Sequence, residues 1–325
     1  MIRLQLHAFV LLLALASGAA AQDPAFANKR VPFEPGFRAF IVPDMEGMGS
    51  VVNIWEIIAG NEGERYRDRS STDYWDHYRR LVTQETNAVI KGARAGGARS
   101  FVVNEGHGGN MFANVLPWEL DSAAILIRGF PKPLVMVTGI DSTFGTLMFT
   151  GAHANAGSKG VMSHNFAFDT FTVNGKVLNE VGINALIAGE MGVSVSLVAG
   201  DDVVVEESRD ILNNGFIGVV VKTAVGPNAA ITFSPARVQQ MLERAAQDAV
   251  TREMRGEFRP FTLPKPYRVH FKIRQAYPES LLQGFDQLER RYSLEKVAPR
   301  SYNFTTSDAR QIGYLLDAIE VLVLR

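Results

Sequence analysis

The chain has 325 residues, 46% of them hydrophobic and 21% charged, with 33 Lys+Arg against 34 Asp+Glu and no cysteine. That apolar content at near-neutral charge excludes a disordered acidic or basic tail, and no nucleic-acid partner is expected without a positive excess. The missing cysteine excludes a disulfide framework, thiolate-held zinc, iron–sulfur clusters and a thiol nucleophile, so any metal site must be built from His, Asp and Glu.

Six histidines are available. The first, His7, falls in an N-terminal segment that reads as a cleaved signal peptide over residues 1–21. Arg3 gives a positive start, residues 9–16 are an unbroken apolar run, and Ala19-Ala20-Ala21 precedes Gln22 with the small residues signal peptidase accepts. The apolar run is short for a permanent membrane anchor, although an uncleaved anchor is the alternative. A lipoprotein would need a cysteine after the cleavage point. The expectation is an exported protein, periplasmic or secreted, with no permanent anchor. Residues 22–36, with Pro24, Pro32 and Pro35, read as a leader or linker.

Residues 37–325 form the remaining domain, and its elements alternate. Residues 37–43 and 100–104 are short β-rich runs, each ending in a polar, glycine-bearing turn. Between them, 71–96 carries Tyr74, Tyr78, Leu81, Val82 and Val89 at helical spacing and stops at Gly96-Gly97. Strand, helix, strand implies a parallel crossover unit. Residues 123–127, 134–138 and 146–151 read as strands, and 166–173 before Asn174-Gly175 as one arm of a hairpin. A helix is expected over 177–191, a buried strand over 193–199, a polar stop at Gly200-Asp201-Asp202, a strand over 217–222 and an amphipathic helix over 235–255. The last section adds a strand over 267–273, a short helix after Pro278 and a final helix from about Ser307. The fold class is α/β: a central mostly parallel or mixed sheet flanked by helices, with a smaller C-terminal lobe or extension.

Four loops carry chemistry. Asp44-Met45-Glu46-Gly47 ends the first strand, and residues two apart on a strand face the same side, so Asp44 and Glu46 present two carboxylates together. Two close anions call for a cation or a proton between them; ordinary turn residues are the alternative. In Glu105-Gly106-His107-Gly108-Gly109, glycines leave the His107 ring unshielded, and neither phosphate-loop spacing is present. Small residues flank His153 in Gly151-Ala152-His153-Ala154-Asn155-Ala156-Gly157, and His164 follows in Ser163-His164-Asn165. Glu180 opens its helix, where the helix dipole favours a carboxylate. Asp44, Glu46, His107, His153 and Glu180 are oxygen and nitrogen donors of the kind suited to zinc, manganese or a two-metal hydrolytic site. His77, beside Tyr78 on the first long helix, and His270, on the Arg268/Lys272 side of its strand, read as solvated or packing residues.

The segments Pro43-Asp44-Met45-Glu46-Gly47-Met48, Glu105-Gly106-His107-Gly108, Gly151 to Gly157, Ser163-His164-Asn165, Asn179-Glu180-Val181-Gly182-Ile183-Asn184-Ala185 and Val198-Ala199-Gly200-Asp201-Asp202 stand in the order found in zinc-dependent D-aminopeptidases of the DppA type, which the chain resembles from about Phe37 to its C-terminus. The resemblance implies an aminopeptidase with two zinc ions per subunit, acting on short peptides with an N-terminal D-amino acid and assembled as a ring-like homo-oligomer. It implies Asp44 as the carboxylate bridging the two metals, Glu46, His107, His153 and Glu180 as the other ligands, and His164 as the catalytic histidine that binds no metal. The sequence departs from the family's usual pattern at Glu105 and Gly106, where Asp and Ser are common, and at Asn165, where Thr is common. Two other readings stand beside this one: a metallohydrolase of the same fold acting on a different amide, lactone or ester, and an exported small-molecule binding protein without activity.

Overall fold

The computed structural model describes residues 34–58 and 71–323. The expected signal segment 1–21, with His7, and leader residues 22–33 lie outside the described residues. Strand β1 (Arg38–Pro43) is followed by helix α1 (Ser71–Gly96), β2 (Ser100–Asn104), β3 (Ala124–Ile127) and β4 (Thr146–Ala152). The hairpin β5 (Phe168–Val173) and β6 (Lys176–Val177) leads into α2 (Glu180–Glu190), β7 (Val195–Asp201), α3 (Asp202–Leu212), β8 (Ile217–Gly226), β9 (Ala229–Thr232) and α4 (Pro235–Glu253). The chain closes with β10 (Tyr267–Ile273), α5 (Phe285–Tyr292), β11 (Glu295–Ala298), β12 (Ser301–Thr306) and α6 (Ala309–Val323).

Two sheets result. The larger has seven strands in the order β3-β2-β1-β4-β7-β8-β9, parallel except for the antiparallel edge strand β9. The smaller has five antiparallel strands in the order β11-β12-β10-β5-β6. The later strands therefore do form a smaller sheet, and the mid-chain hairpin joins it through the β5–β10 pairing. The central strands are apolar throughout because both faces are covered. Ala39 and Ile41 of β1 face a cluster with Val89 and Ala93 of α1 and Leu242 and Ala246 of α4. Phe40 and Val42 point the other way, into a core shared with α2, α6 and the inner face of the antiparallel sheet, including Phe168, Phe171 and Phe271.

Helix α2 is buried from Glu180 to Gly189 between these layers. It starts at Glu180 because Asn179 caps it, its Oδ1 accepting from Gly182 N at 2.9 Å. The expected helix start at 177 fails because Val177 pairs with Thr172 in the β5–β6 hairpin.

Two other expectations are corrected. Residues 134–138 are no strand but a 3-10 turn over Val135–Val137. Its backbone is tied down by a side chain, since Asn104 Nδ2 donates to the carbonyls of Val135 and Met136 at 3.1 and 2.8 Å. A short run buried on all sides has no periodicity to separate the two conformations. The expected stop at Gly200-Asp201-Asp202 is a start: β7 runs on to Asp201, whose Oδ1 caps α3 by accepting from Val204 N at 2.9 Å. Residues Val204, Val205, Ile211 and Leu212 form the buried stripe of α3.

Strands β2 and β3 lie on one side of β1 and β4 on the other, so the strand order reverses there. In open α/β sheets such a reversal opens a crevice beyond the carboxyl ends of the strands.

Candidate active site

The six singled-out side chains meet in that crevice. Asp44 and Glu46 follow β1, and His107 follows β2. His153 follows β4, and Glu180 opens α2. The loop after β1 runs along the end of β4, with Asp44 N donating to Thr150 O at 2.8 Å and Gly47 N to Gly151 O at 2.7 Å. No side chain fits there: a Cβ on Gly47 would lie 1.8 Å from Ala152 O, and Gly151, at φ +74°, would place one 2.0 Å from Asp44 O.

Asp44 sits at the middle of the cluster. Its Oδ1 lies 3.6 Å from His107 Nδ1, and its Oδ2 lies 3.6 Å from His153 Nε2. Glu46 Oε2 is 2.9 Å from the same His107 nitrogen, and its Oε1 is 3.8 Å from His164 Nε2. Glu180 Oε1 lies 3.5 Å from His153 Nε2. The His153 and His164 rings stack, centroids 3.9 Å apart and planes within 8°. Two groups of donor atoms follow, Asp44 with Glu46 and His107, and Glu180 with His153 and His164, each within 4.8 Å of one another.

Each histidine has one nitrogen fixed by a backbone carbonyl. His107 Nε2 contacts Ile57 O at 2.8 Å, His153 Nδ1 contacts Ala154 O at 3.1 Å, and His164 Nδ1 contacts Met162 O at 2.8 Å. A carbonyl only accepts, so these nitrogens carry the proton. The other nitrogen of each ring then turns toward carboxylate oxygens. A lone pair facing a carboxylate is repulsive unless a proton or a cation lies between them, and this arrangement of oxygen and nitrogen donors fits a divalent metal.

The electrostatics of the group are correspondingly strong. Burial and the charge of Glu46 raise Asp44 to about 7. Burial would raise Glu46 as well, but His107 overcomes it and holds that carboxyl well below its ordinary range. Burial opposes a charge on His107 and His153. The carboxylates outweigh it, raising His107 well above its usual value and His153, chiefly through Glu180, to about 10. Burial and the positive charge of His153 lower His164 to about 4.

Polar side chains outside the expected donor set hold these loops in place, Glu105 and Asn165, noted above as departures from the family pattern, among them. Asn165 Nδ2 donates to Asn155 Oδ1 and to Leu178 O, both at 2.8 Å, so the residue after His164 ties its loop to the His153 loop and to the approach to Glu180. Glu207 of α3 accepts from Asn155 N at 2.9 Å, from Asn179 Nδ2 at 3.3 Å and from the Ser158 hydroxyl. Glu105 accepts from Asn114 N, and Asn114 Nδ2 donates back to His107 O at 2.9 Å. Buried Lys132 donates to Asn104 Oδ1 and Glu105 O, both at 2.6 Å. These contacts span 7 to 52 residues of sequence, and only the acid or amide beside a glycine-rich loop hinted at them. His77 is exposed on α1, and His270 on β10 bonds Asn303 Oδ1 at 3.0 Å; neither joins the cluster.

The model of the D-aminopeptidase family, peptidase family M55, matches residues 37–313. The chain belongs to this family. It is 31% identical over 229 residues to a D-aminopeptidase of Bacillus subtilis (strain 168), a match covering 70% of this chain and 78% of that one. Among solved structures, it resembles the Zn-dependent D-aminopeptidase DppA from Bacillus subtilis, described as a self-compartmentalizing protease. That likeness has a TM-score of 0.74 at 25% identity and covers 89% of this chain and 98% of the other. All six clustered residues of this D-aminopeptidase family member lie inside the matched span.

Proposed function

We propose that this D-aminopeptidase family member is a zinc-dependent exopeptidase that removes an N-terminal D-amino acid, of the D-alanine kind, from short peptides, with two ions per subunit. The observation that carries the reading is the orientation of the three histidines, each with one nitrogen committed to a backbone carbonyl and the other aimed into a shared set of buried carboxylates. Asp44, with an oxygen toward each half of the cluster, would bridge the ions. Glu46 and His107 would complete one site, and His153 and Glu180 the other. Bound zinc supplies Lewis-acid polarisation of the scissile carbonyl and a water acidic enough to react near neutral pH.

The chain's own residues supply the rest. His164 differs from the other donors in exposure, its side chain 29% accessible against 2% for His153 and 5% for His107. With Nδ1–H anchored on Met162 O, it presents Nε2 on the open side of the cluster, where it moves a proton between the attacking water and the leaving amine. The buried walls exclude bulk water from the donors and strengthen each electrostatic interaction.

Export to the periplasm or medium rests on the apolar run and small-residue site before Gln22. Assembly as a ring-like homo-oligomer rests on the likeness to the self-compartmentalizing neighbour. The deciding experiment measures product release from D-alanyl and L-alanyl peptides, with and without chelator, beside the zinc content. Chelator-sensitive release from the D-alanyl peptide alone supports the reading. Equal cleavage of both, or activity only on another amide, lactone or ester, overturns the specificity while leaving a metallohydrolase. Failure to cleave any of them overturns the enzyme.

A further inference from the structure

Strand β8 contributes no donor to the cluster, yet it and the turn after it touch two of the loops that do. Lys222 lies on β8 in the run Val219-Val220-Val221-Lys222 and is 1% exposed. Its Nζ donates to Glu46 O and Val51 O, at the two ends of the far side of the loop that carries Asp44 and Glu46. Glu85 of α1 holds the middle of the same loop by accepting from Gly49 N at 3.2 Å. In the parallel register of β7 and β8 the partner of Lys222 is Asp201, also fully buried. Asp201 Oδ2 accepts from Val161 N at 2.7 Å, and the next amide, Met162 N, donates to Pro227 O at the β8–β9 turn at 2.9 Å. Met162 is the residue whose carbonyl orients His164.

A buried ammonium is costly unless its protons are satisfied, and an apolar side chain of similar volume would pack in a β-strand at no such cost. Here it would leave two buried carbonyls of the carboxylate loop unpaired. The position therefore serves the loop rather than the strand.

We propose that Lys222 and Asp201 form a positioning pair that sets the separation between the carboxylate side and the histidine side of the active site. Lys222 fixes the backbone of the loop bearing Asp44 and Glu46. Asp201 fixes the segment leading to His164. Adjacent places on β7 and β8 make the two attachments one rigid unit, so the 3.8 Å approach of Glu46 to His164 is governed by residues that touch neither substrate nor metal.

The inference rests on the functional reading only for its activity readout. The test compares Lys222→Gln, Asp201→Asn and the double variant in the full-length, zinc-loaded protein, by steady-state kinetics on a D-alanyl peptide and by amide hydrogen exchange over 44–51 and 157–164. Lys222→Gln should release the first loop and Asp201→Asn the second. Each should lower kcat by ~10–100-fold with KM little changed. The double variant should be no worse than the poorer single one, as for two members of one unit. A kcat per folded subunit within about twofold of wild type, or fully multiplicative losses in the double variant, overturns the proposal. Should Asp201→Asn fail to fold because its amide nitrogen is buried against Val161 N, Lys222→Gln alone still decides, since unchanged exchange over 44–51 refutes the attachment. If the wild-type protein cleaves no D-alanyl peptide, the functional reading fails, and hydrogen exchange over the two loops alone decides whether the pair holds them.

Discussion

The two halves of the cluster are built differently. Asp44, Glu46 and His107 hang from the ends of adjacent parallel strands and are sealed, with side chains 7%, 5% and 5% exposed. His153, Glu180 and His164 come from a strand end, a buried helix and an intervening loop, and one of them, His164, is 29% exposed. The sealed half starts from two neighbouring strand ends, with Lys222, Glu85, Asn114 and Lys132 tying down the backbone just beyond them. The open half depends on a web of amide and carboxylate side chains, Asn155, Asn165, Asn179 and Glu207, to hold three separate pieces of chain together. Among the described residues, the cluster is therefore most open on the His164 side, and its other five donors are buried.

The strongest test of that contrast removes a deep donor from the open half. His153→Ala should lose bound zinc and fall to background activity; full zinc occupancy measured by elemental analysis would remove His153 from the ligand set. His164→Ala should keep near-normal zinc while activity falls by ~10²–10⁴, the usual scale of proton-transfer assistance. Wild-type turnover in that variant would end the role given to this ring. Smaller again is the effect expected behind the open half, where α6 buries Glu320. Burial, reinforced by the charge of Glu180, raises its carboxyl from 4.5 to about 8. The folded state then binds a proton that the unfolded state releases between those values, so this contribution to stability is complete below about pH 4.5 and is lost as pH rises through 8. Glu320→Gln, which stays neutral, should gain thermal stability relative to wild type between pH 5 and pH 8. Parallel melting curves across that range would show that Glu320 ionises freely.

The parallel sheet was legible because its strands are continuous apolar runs that stop at polar turns, and most donors were legible because they stand in such loops, Glu180 instead at a helix start. Residues 71–96, 100–104 and 267–273 needed only periodicity. Helix α3 was hidden because Asp201-Asp202 after a glycine reads as a terminus, although an aspartate before an apolar stripe at 204, 205, 211 and 212 is equally a helix cap. The turn at 135–137 was hidden for the opposite reason, since Val and Met buried on every side fit either backbone. Lys222 was read only as the end of a strand, because nothing local tells which carbonyls it reaches 171 and 176 residues away. Convergence of the six donors likewise depends on strand order, which no single segment encodes.

Helix α2 carries a consequence for how such a site can change. Its first residue is Glu180, and the ten residues from there to Gly189 are packed between two sheets with no face in solvent. A substitution that shifts this carboxylate must move a rod wedged in the core, and one that loosens the core must move the carboxylate. Chemistry and foldedness are thus selected together at this end of the molecule.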